Sequence, residues 1–149
     1  MPLVSQSPIP AYVEGTFTPT ITLVAGVGNT TPVYSTNTGR YTRIGNRVFV
    51  EIYLTGDGGN EGAGTGTIDI ALPIAASASM PAGNFLAGSI TNGSEAQPAY
   101  GFIQGGTSSV ALRMQTDTAG ALNSTITGAT GADQNNSTRT IRLQFSYEV

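Results

Sequence analysis

Acidic and glycine residues in three short segments are the first candidates for chemistry. Asp57-Gly-Gly-Asn-Glu61 places two carboxylates and an amide in one Gly-rich loop, and hard cations prefer several oxygen ligands on such a loop. The spacing departs from the EF-hand pattern, so we interpret the segment as a solvated hairpin loop and expect no metal site. Gly26-Val-Gly28 and Gly64-Thr-Gly66 are similar to phosphate-binding glycines, but neither leads into a helix, as the phosphate-loop motif requires.

Three absent residue types restrict the chemistry further. The chain has no Cys and no His, and all six positive charges are Arg. Disulfides, thiol catalysis and Cys-type zinc sites are therefore excluded, together with the usual general base. Without Lys and His there is no Schiff base, no phosphate-loop lysine and no Ser-His-Asp triad.

Paired carboxylates could still hydrolyse glycosides. The chain has nine acidic residues, but most fall in loops or at outward strand positions, and no Trp offers a sugar platform. Asp69, for example, lies on the polar face opposite Ile68 and Ile70. We therefore predict no catalytic residues, no cofactor and no enzymatic activity, and we assign the acids to surface solubility.

The charge balance argues against nucleic-acid and membrane partners. The net charge is -3 and only 10% of the residues are charged, which leaves no basic surface for a phosphate backbone. Arg40, Arg43 and Arg47 do cluster, and we expect them to pair with Glu51 or to solvate one face. No apolar run approaches the roughly 20 residues that span a bilayer, and the N-terminus lacks the pattern of a secretory signal.

The elements that must position these residues are most clearly indicated between Gly39 and Leu54. Two runs of strand-forming residues flank Gly45-Asn46, and a glycine at the first position of a two-residue loop predicts a hairpin with a type II′ turn. The second run alternates with the period of a half-buried strand. Its inward residues are predicted to be Val48, Val50, Ile52 and Leu54, and its outward residues Arg47, Phe49, Glu51 and Tyr53.

Other segments show the same pattern. Predicted strands cover 16–23, with Pro19 marking an edge or a bulge, and a short run at 32–35. Further strands are predicted at 67–72, 84–91, 100–104, 107–116, 122–127 and 138–149, with at most a helical turn at 75–82. Turn signals at Asn92-Gly93 and Gly105-Gly106 separate some of them. About eight or nine short strands with regular turns indicate an all-β fold, an antiparallel β-sandwich or jelly roll over residues 15–149.

Residues 1–14 form a separate N-terminal segment, which we call the arm. Its prolines fix φ and favour an extended or polyproline-like chain. The alternatives are a frayed terminus or an arm that lies on a neighbouring subunit or another protein, for which its apolar residues would be the anchors. The predicted partner-binding residues of the arm are Pro2, Val4, Pro8, Ile9, Pro10 and Tyr12.

Three motifs together resemble a family. Gly15-Thr-Phe-Thr-Pro19, the hairpin from Gly39 to Val48 with its G-x-Y-x-x-I-G-N-x-V pattern, and Ile70-Ala-Leu-Pro73 resemble a pattern in tailed-bacteriophage virion proteins. That pattern occurs in head decoration proteins and in tail fibre and tailspike tips. The resemblance implies a compact β-sandwich, usually trimeric, that serves in the virion after assembly in the cytoplasm of the bacterial host.

The two classes within that resemblance differ in what precedes the domain. Fibre and spike proteins usually carry a shaft or attachment domain, and this chain begins at Met1 without one. We therefore expect a capsid decoration (cement) protein, a homotrimer that binds the major capsid protein or another virion protein through the arm. The alternative is a receptor-binding tip that recognises a host cell-surface glycan with loop residues such as Tyr100, Asn60 or Asn92. The third alternative is an assembly or baseplate subunit.

The outward residues of the hairpin are the remaining candidate site. Arg47, Phe49, Glu51 and Tyr53 combine apolar rings with charge in a chain otherwise poor in charge, and a single subunit has little reason to expose such a stripe. We predict that these four residues form a subunit interface.

Overall fold

The computed structural model describes residues 11–31, 33–56, 64–92, 95–116, 125–128 and 139–149. Strands make up about two thirds of these residues. These residues contain strands and turns and no helix. The ten strands are β1 Tyr12–Phe17, β2 Ile21–Val24, β3 Tyr34–Ile44, β4 Arg47–Gly56, β5 Thr67–Ala71, β6 Gly83–Asn92, β7 Glu95–Ile103, β8 Ser109–Thr116, β9 Thr125–Gly128 and β10 Thr140–Glu148. The predicted all-β class is confirmed, with one or two more strands than expected.

All ten strands pair antiparallel in one sheet, in the order β1-β3-β4-β10-β6-β7-β8-β5-β2, with β9 added beside β8. The last strand of the chain, β10, lies between β4 and β6 and joins the two halves of the sheet. The sheet is a curled half-barrel, and the finer prediction of a β-sandwich or jelly roll stays a prediction.

The predicted strand over 16–23 is wrong, because the chain breaks there into two strands. β1 and β2 lie at opposite ends of the sheet, yet four Cα steps join Phe17 to Ile21, at most about 15 Å. A flat sheet with eight strand spacings would separate its edges by about 38 Å. The short connection through Pro19 therefore requires the sheet to curl.

Hydrogen bonds hold that connection from both sides. The Asn37 Nδ2 of β3 donates to the Pro19 carbonyl at 2.8 Å, and the Ala71 N–H of β5 donates to the Thr20 carbonyl at 2.8 Å. Pro19 itself is fully buried. It has no N–H to lose, which makes it a suitable residue for a buried crossing between strands.

The hairpin at Gly45-Asn46 forms as predicted. Ile44 pairs with Arg47 across the two-residue loop, and Gly45 has a φ of 62° whereas Asn46 is not among the residues with positive φ. Positive φ at the first loop residue alone is the type II′ pattern. The turn signal at Gly105-Gly106 is also confirmed, since the Thr107 N–H donates to the Gln104 carbonyl there. The loop is longer than the two glycines, because β7 ends at Ile103 and β8 begins at Ser109.

One hydrophobic core lies inside the curl. The predicted inward residues of β4 are buried to 3% exposure or less, and those of β10 and β5 are buried with them. The core residues of these three strands are Val48, Val50, Ile52, Leu54, Ile68, Ile70, Ile141, Leu143, Phe145 and Tyr147. Tyr147 also donates its hydroxyl hydrogen to the Ile74 carbonyl at 2.6 Å, which ties β10 to the segment after β5.

Candidate binding surface

The side of the sheet that faces away from the core carries the four predicted interface residues. On β4, Phe49 is 46% exposed and Tyr53 36% exposed, and Arg47 and Glu51 alternate with them on the same side. We call the outward side of β1, β3, β4, β10 and the adjoining end of β6 the outer face. The predicted orientation of all four residues is therefore confirmed, while their role as a subunit interface stays a prediction.

Strand register places residues from four strands beside Glu51. Arg40 of β3 lies directly opposite Glu51, Thr16 of β1 lies opposite Arg40, and Gln144 of β10 lies on the other side of Glu51. Directly opposite residues point to the same face of a sheet. The row Thr16, Arg40, Glu51 and Gln144 therefore crosses the outer face from its edge to its centre.

Two depressions meet along this row. One has a volume of about 850 Å³ and includes Phe49 in its lining; the other has a volume of about 500 Å³ and includes Tyr53 and Arg142. Arg40, Glu51 and Gln144 line both. We call the combined depression the outer groove. It is a polar centre between two exposed aromatic rings.

Local contacts fix the side chains of the groove. Gln144 donates from Nε2 to the Glu51 Oε1 at 2.8 Å, and the Arg142 guanidinium carbon lies 5.1 Å from the centre of the Tyr53 ring. The neighbouring Thr55 hydroxyl, and next the Arg142 side chain, lower the pKa of Tyr53. The groove thus presents oriented hydrogen-bonding groups.

The clustered arginines were expected to pair with Glu51 or to solvate one face, and Arg47 is exposed on the outer face, as the second alternative predicts. Arg47 lies 3.9 Å from Glu148 (Nη1 to Oε1), in an exposed ion pair, and its Nε donates to Ser146 Oγ at 3.3 Å. Arg43 donates from Nε to the Gly45 carbonyl at 2.8 Å and so supports the turn. Of the three, Arg40 is the one that lies opposite Glu51.

The two glycine-rich segments that were considered for phosphate binding contact each other instead. Val27 and Thr65 are joined by two hydrogen bonds, Val27 N–H to Thr65 Oγ1 at 3.1 Å and Thr65 N–H to the Val27 carbonyl at 3.2 Å. Asn29 accepts from the Gly66 N–H at 3.0 Å and donates to the Ala25 carbonyl at 2.6 Å. These hydrogen bonds join the segment that follows β2 to the segment that precedes β5.

The remaining candidates from the sequence do not converge. The loop 57–61 lies outside the described residues, and so does Asn60. Asn92 is the last residue of β6, and Tyr100 is not a loop residue: it lies within β7, opposite Leu86 and Arg113. Asp69 faces outward as predicted and accepts from Ser109 Oγ at 3.0 Å.

Acidic residues do not gather into a metal site in the part of the chain that is described, where no group of three or more potential ligands is found. A membrane-spanning helix is likewise not found among those residues.

The arm is described only at its end. Pro2, Val4, Pro8, Ile9 and Pro10 lie outside the described residues. Tyr12 is 60% exposed and belongs to β1, which begins three residues before the predicted boundary at Gly15. Its hydroxyl donates to the Glu14 carboxylate.

Sequence reasoning missed the residues that complete the groove around β4. Gln144 and Arg142 show the outward alternation of the last strand, but nothing local indicates that this strand pairs with β4. Arg40 was noted for its charge and not for its position. The sequence therefore predicted only those residues of the groove that lie on β4.

Comparison with known proteins adds no relative. The scan against protein-family models matches none of them, and the search of curated proteins returns no match.

Proposed function

We propose that this chain is a structural protein of a tailed-bacteriophage virion. It is a capsid decoration protein, and it acts by binding other protein subunits of the particle. The observation that carries the proposal is the outer groove, where Phe49 and Tyr53 stay exposed on a sheet whose other side is packed core. Exposed aromatic residues beside oriented polar groups are typical of protein interaction surfaces. The motifs at Gly15–Pro19, Gly39–Val48 and Ile70–Pro73 support the virion context, because they resemble a pattern in tailed-bacteriophage virion proteins.

The proposed assembly is a homotrimer on the head of the particle. The stripe Arg47, Phe49, Glu51 and Tyr53 is the subunit interface, and the arm attaches the protein to a neighbouring subunit or to the major capsid protein. An arm that becomes ordered on a partner adds buried apolar area at a cost in conformational entropy. Repetition around a symmetry axis multiplies the contact.

The finer architecture belongs to the same proposal. We propose that the curled sheet acts as a β-sandwich or jelly roll, with β1, β3, β4 and β10 in one layer and β7, β8, β5 and β2 in the other. The short connection through Pro19 and the hydrogen bond from Tyr147 to Ile74 support two layers in close apposition.

Removal of the arm tests the decoration function. The deletion should stop at residue 10, because the Ala11 carbonyl accepts from the Gly45 N–H at 2.9 Å and β1 begins at Tyr12. We expect the truncated protein to fold with unchanged thermal unfolding and to lose co-sedimentation with particles that lack the native protein. Undiminished coating by the folded, truncated protein would refute the proposal.

A receptor-binding tip is the second candidate, and the chemistry of the groove favours it. Aromatic faces next to Arg, Glu and Gln side chains suit the apolar faces and hydroxyl groups of a sugar. Fluorescently labelled protein should then stain host cells, and Phe49→Ser should abolish the staining. A decoration protein should leave cells unstained.

A further inference from the structure

The outer groove has the chemistry of a site for a polyproline II segment. Such a segment has no internal hydrogen bonds and leaves its carbonyl groups to external donors. The groove provides donors from Arg40, Arg142 and Gln144, whereas its central acceptor, Glu51, already accepts from Gln144. Aromatic rings in grooves of this kind contact the proline rings.

The spacing of the rings matches the arm of this same chain. Phe49 and Tyr53 are four residues apart on an extended strand, about 14 Å at roughly 3.4 Å per residue. Val4 and Pro8 are also four residues apart, about 12 Å at 3.1 Å per residue in polyproline II. Residues 1–10 carry three prolines and no charged side chain, which suits a contact with two aromatic rings.

The place where the arm joins the sheet argues for a groove on another copy. Ala11 is held beside the Gly45 turn, and β1 runs from there along the sheet to Phe17, so the N-terminal end of β1 lies at the turn end of the sheet. To enter its own groove the arm would have to reverse direction at once. The residue before each proline prefers an extended conformation, and Pro8 and Pro10 therefore oppose a tight reversal next to Ala11.

We propose that residues 1–10 of one copy lie in the outer groove of a second copy as a polyproline II segment. At about 3.1 Å per residue the arm reaches about 31 Å, which is more than the roughly 14 Å that separates Phe49 from Tyr53 along β4. The contact joins two different surfaces of each copy, so it is heterologous and can close into a ring. The inference rests on the proposed function in one respect: it names what the predicted interface residues contact.

Disulfide trapping tests the placement, because the chain has no cysteine of its own. Full-length chains with S5C in the arm are mixed with full-length chains with T16C, since Thr16 is exposed and lines the groove. The matched control is T22C, because Thr22 is also exposed and lies on β2, the strand at the opposite end of the sheet. Circular dichroism and thermal unfolding confirm that each variant folds.

We expect the S5C and T16C pair to form a mixed covalent dimer at least tenfold faster than the S5C and T22C pair. Phe49→Ser with Tyr53→Ser in the T16C chain should reduce that rate to the control value. Equal rates with T16C and T22C would overturn the proposal. A chain with both S5C and T16C that forms only an intrachain disulfide would also overturn it, by placing the arm in its own groove.

The outcome is separable from that of the proposed function. Trapping that succeeds while the protein fails to coat particles would refute decoration and leave the arm exchange intact. Trapping that fails while coating persists would refute the arm exchange alone. Sugar binding by the groove together with failed trapping would favour the receptor-binding alternative.

Discussion

Gly88 lies where the two halves of the sheet are joined, and its replacement by alanine should be among the most damaging small changes in the protein. β6 and β10 pair over four residues only, and the last pair is Gly88 with Leu143. The register of β6 with β7 shifts between Leu86 and Gly88. Gly88 has a φ of 155°, and a methyl group there would overlap the Arg142 carbonyl oxygen.

The expected cost of Gly88→Ala follows from two effects. A backbone conformation that L-residues rarely adopt costs about 1–3 kcal/mol. Moving β6 away from the Arg142 carbonyl weakens one or two strand hydrogen bonds, at about 1 kcal/mol each. The sum is about 3 kcal/mol, which corresponds to a fall in Tm of roughly 6–12 °C for a domain of this size.

The same strand offers the matched control. Gly83 is the first residue of β6, and a methyl group there would meet nothing within 4 Å. Gly83→Ala should therefore leave stability unchanged or raise it by about 0.5 kcal/mol through the unfolded state. Urea unfolding followed by circular dichroism compares the two variants. Equal midpoints for both would refute the argument that the junction of β6 and β10 admits no side chain at residue 88.

Three further predictions concern the core and its tyrosines. Tyr147→Phe removes the buried hydrogen bond to the Ile74 carbonyl and should lower the free energy of unfolding by about 1 kcal/mol, measured in urea. Burial raises the pKa of Tyr34 and of Tyr147 to about 12. Because the folded phenols keep protons that the unfolded chain releases from about pH 10 upward, stability should be complete below that pH and fall as the pH rises towards 12. Ile52→Ala should cost about 3 kcal/mol, since Ile52 is only 3% exposed, whereas Phe49→Ala should change the stability of the monomer by less than about 0.5 kcal/mol.

Controls for these predictions come from exposed positions. Tyr12→Phe loses a hydrogen bond at an exposed site and should change stability by less than about 0.5 kcal/mol. An equal effect of Tyr12→Phe and Tyr147→Phe would contradict the importance of the buried bond. The pH argument fails if stability is constant between about pH 9 and about pH 11.5, or if tyrosinate absorbance shows all six tyrosines titrating together.

Local sequence patterns best predicted the strands that have one buried face and one exposed face. β4 and β10 alternate strictly, and the four inward residues of β4 that the sequence predicted are all buried. Pro98 shows the limit of such reasoning, because β7 was expected to begin only at Tyr100. It begins at Glu95, and Pro98 is tolerated where β7 pairs with β6 before its pairing with β8 begins at Ala99.

The candidate site was predictable only along one strand. The outward orientation of Phe49 and Tyr53 follows from the period of β4, but the groove needs Arg40 and Gln144 from two other strands. Gln144 is 93 residues from its partner Glu51. No spacing in the sequence indicates that contact.

The sequence by itself determined the all-β class, the hairpin at Gly45 and the two faces of β4 and β10, because side-chain alternation and turn geometry are properties of neighbouring residues. The tertiary structure alone decided that the chain breaks at Pro19, that β10 enters between β4 and β6, and that two depressions meet on the outer face. These depend on which strands pair and how far the sheet curls, and that choice is made by burying one common core from residues distant in sequence.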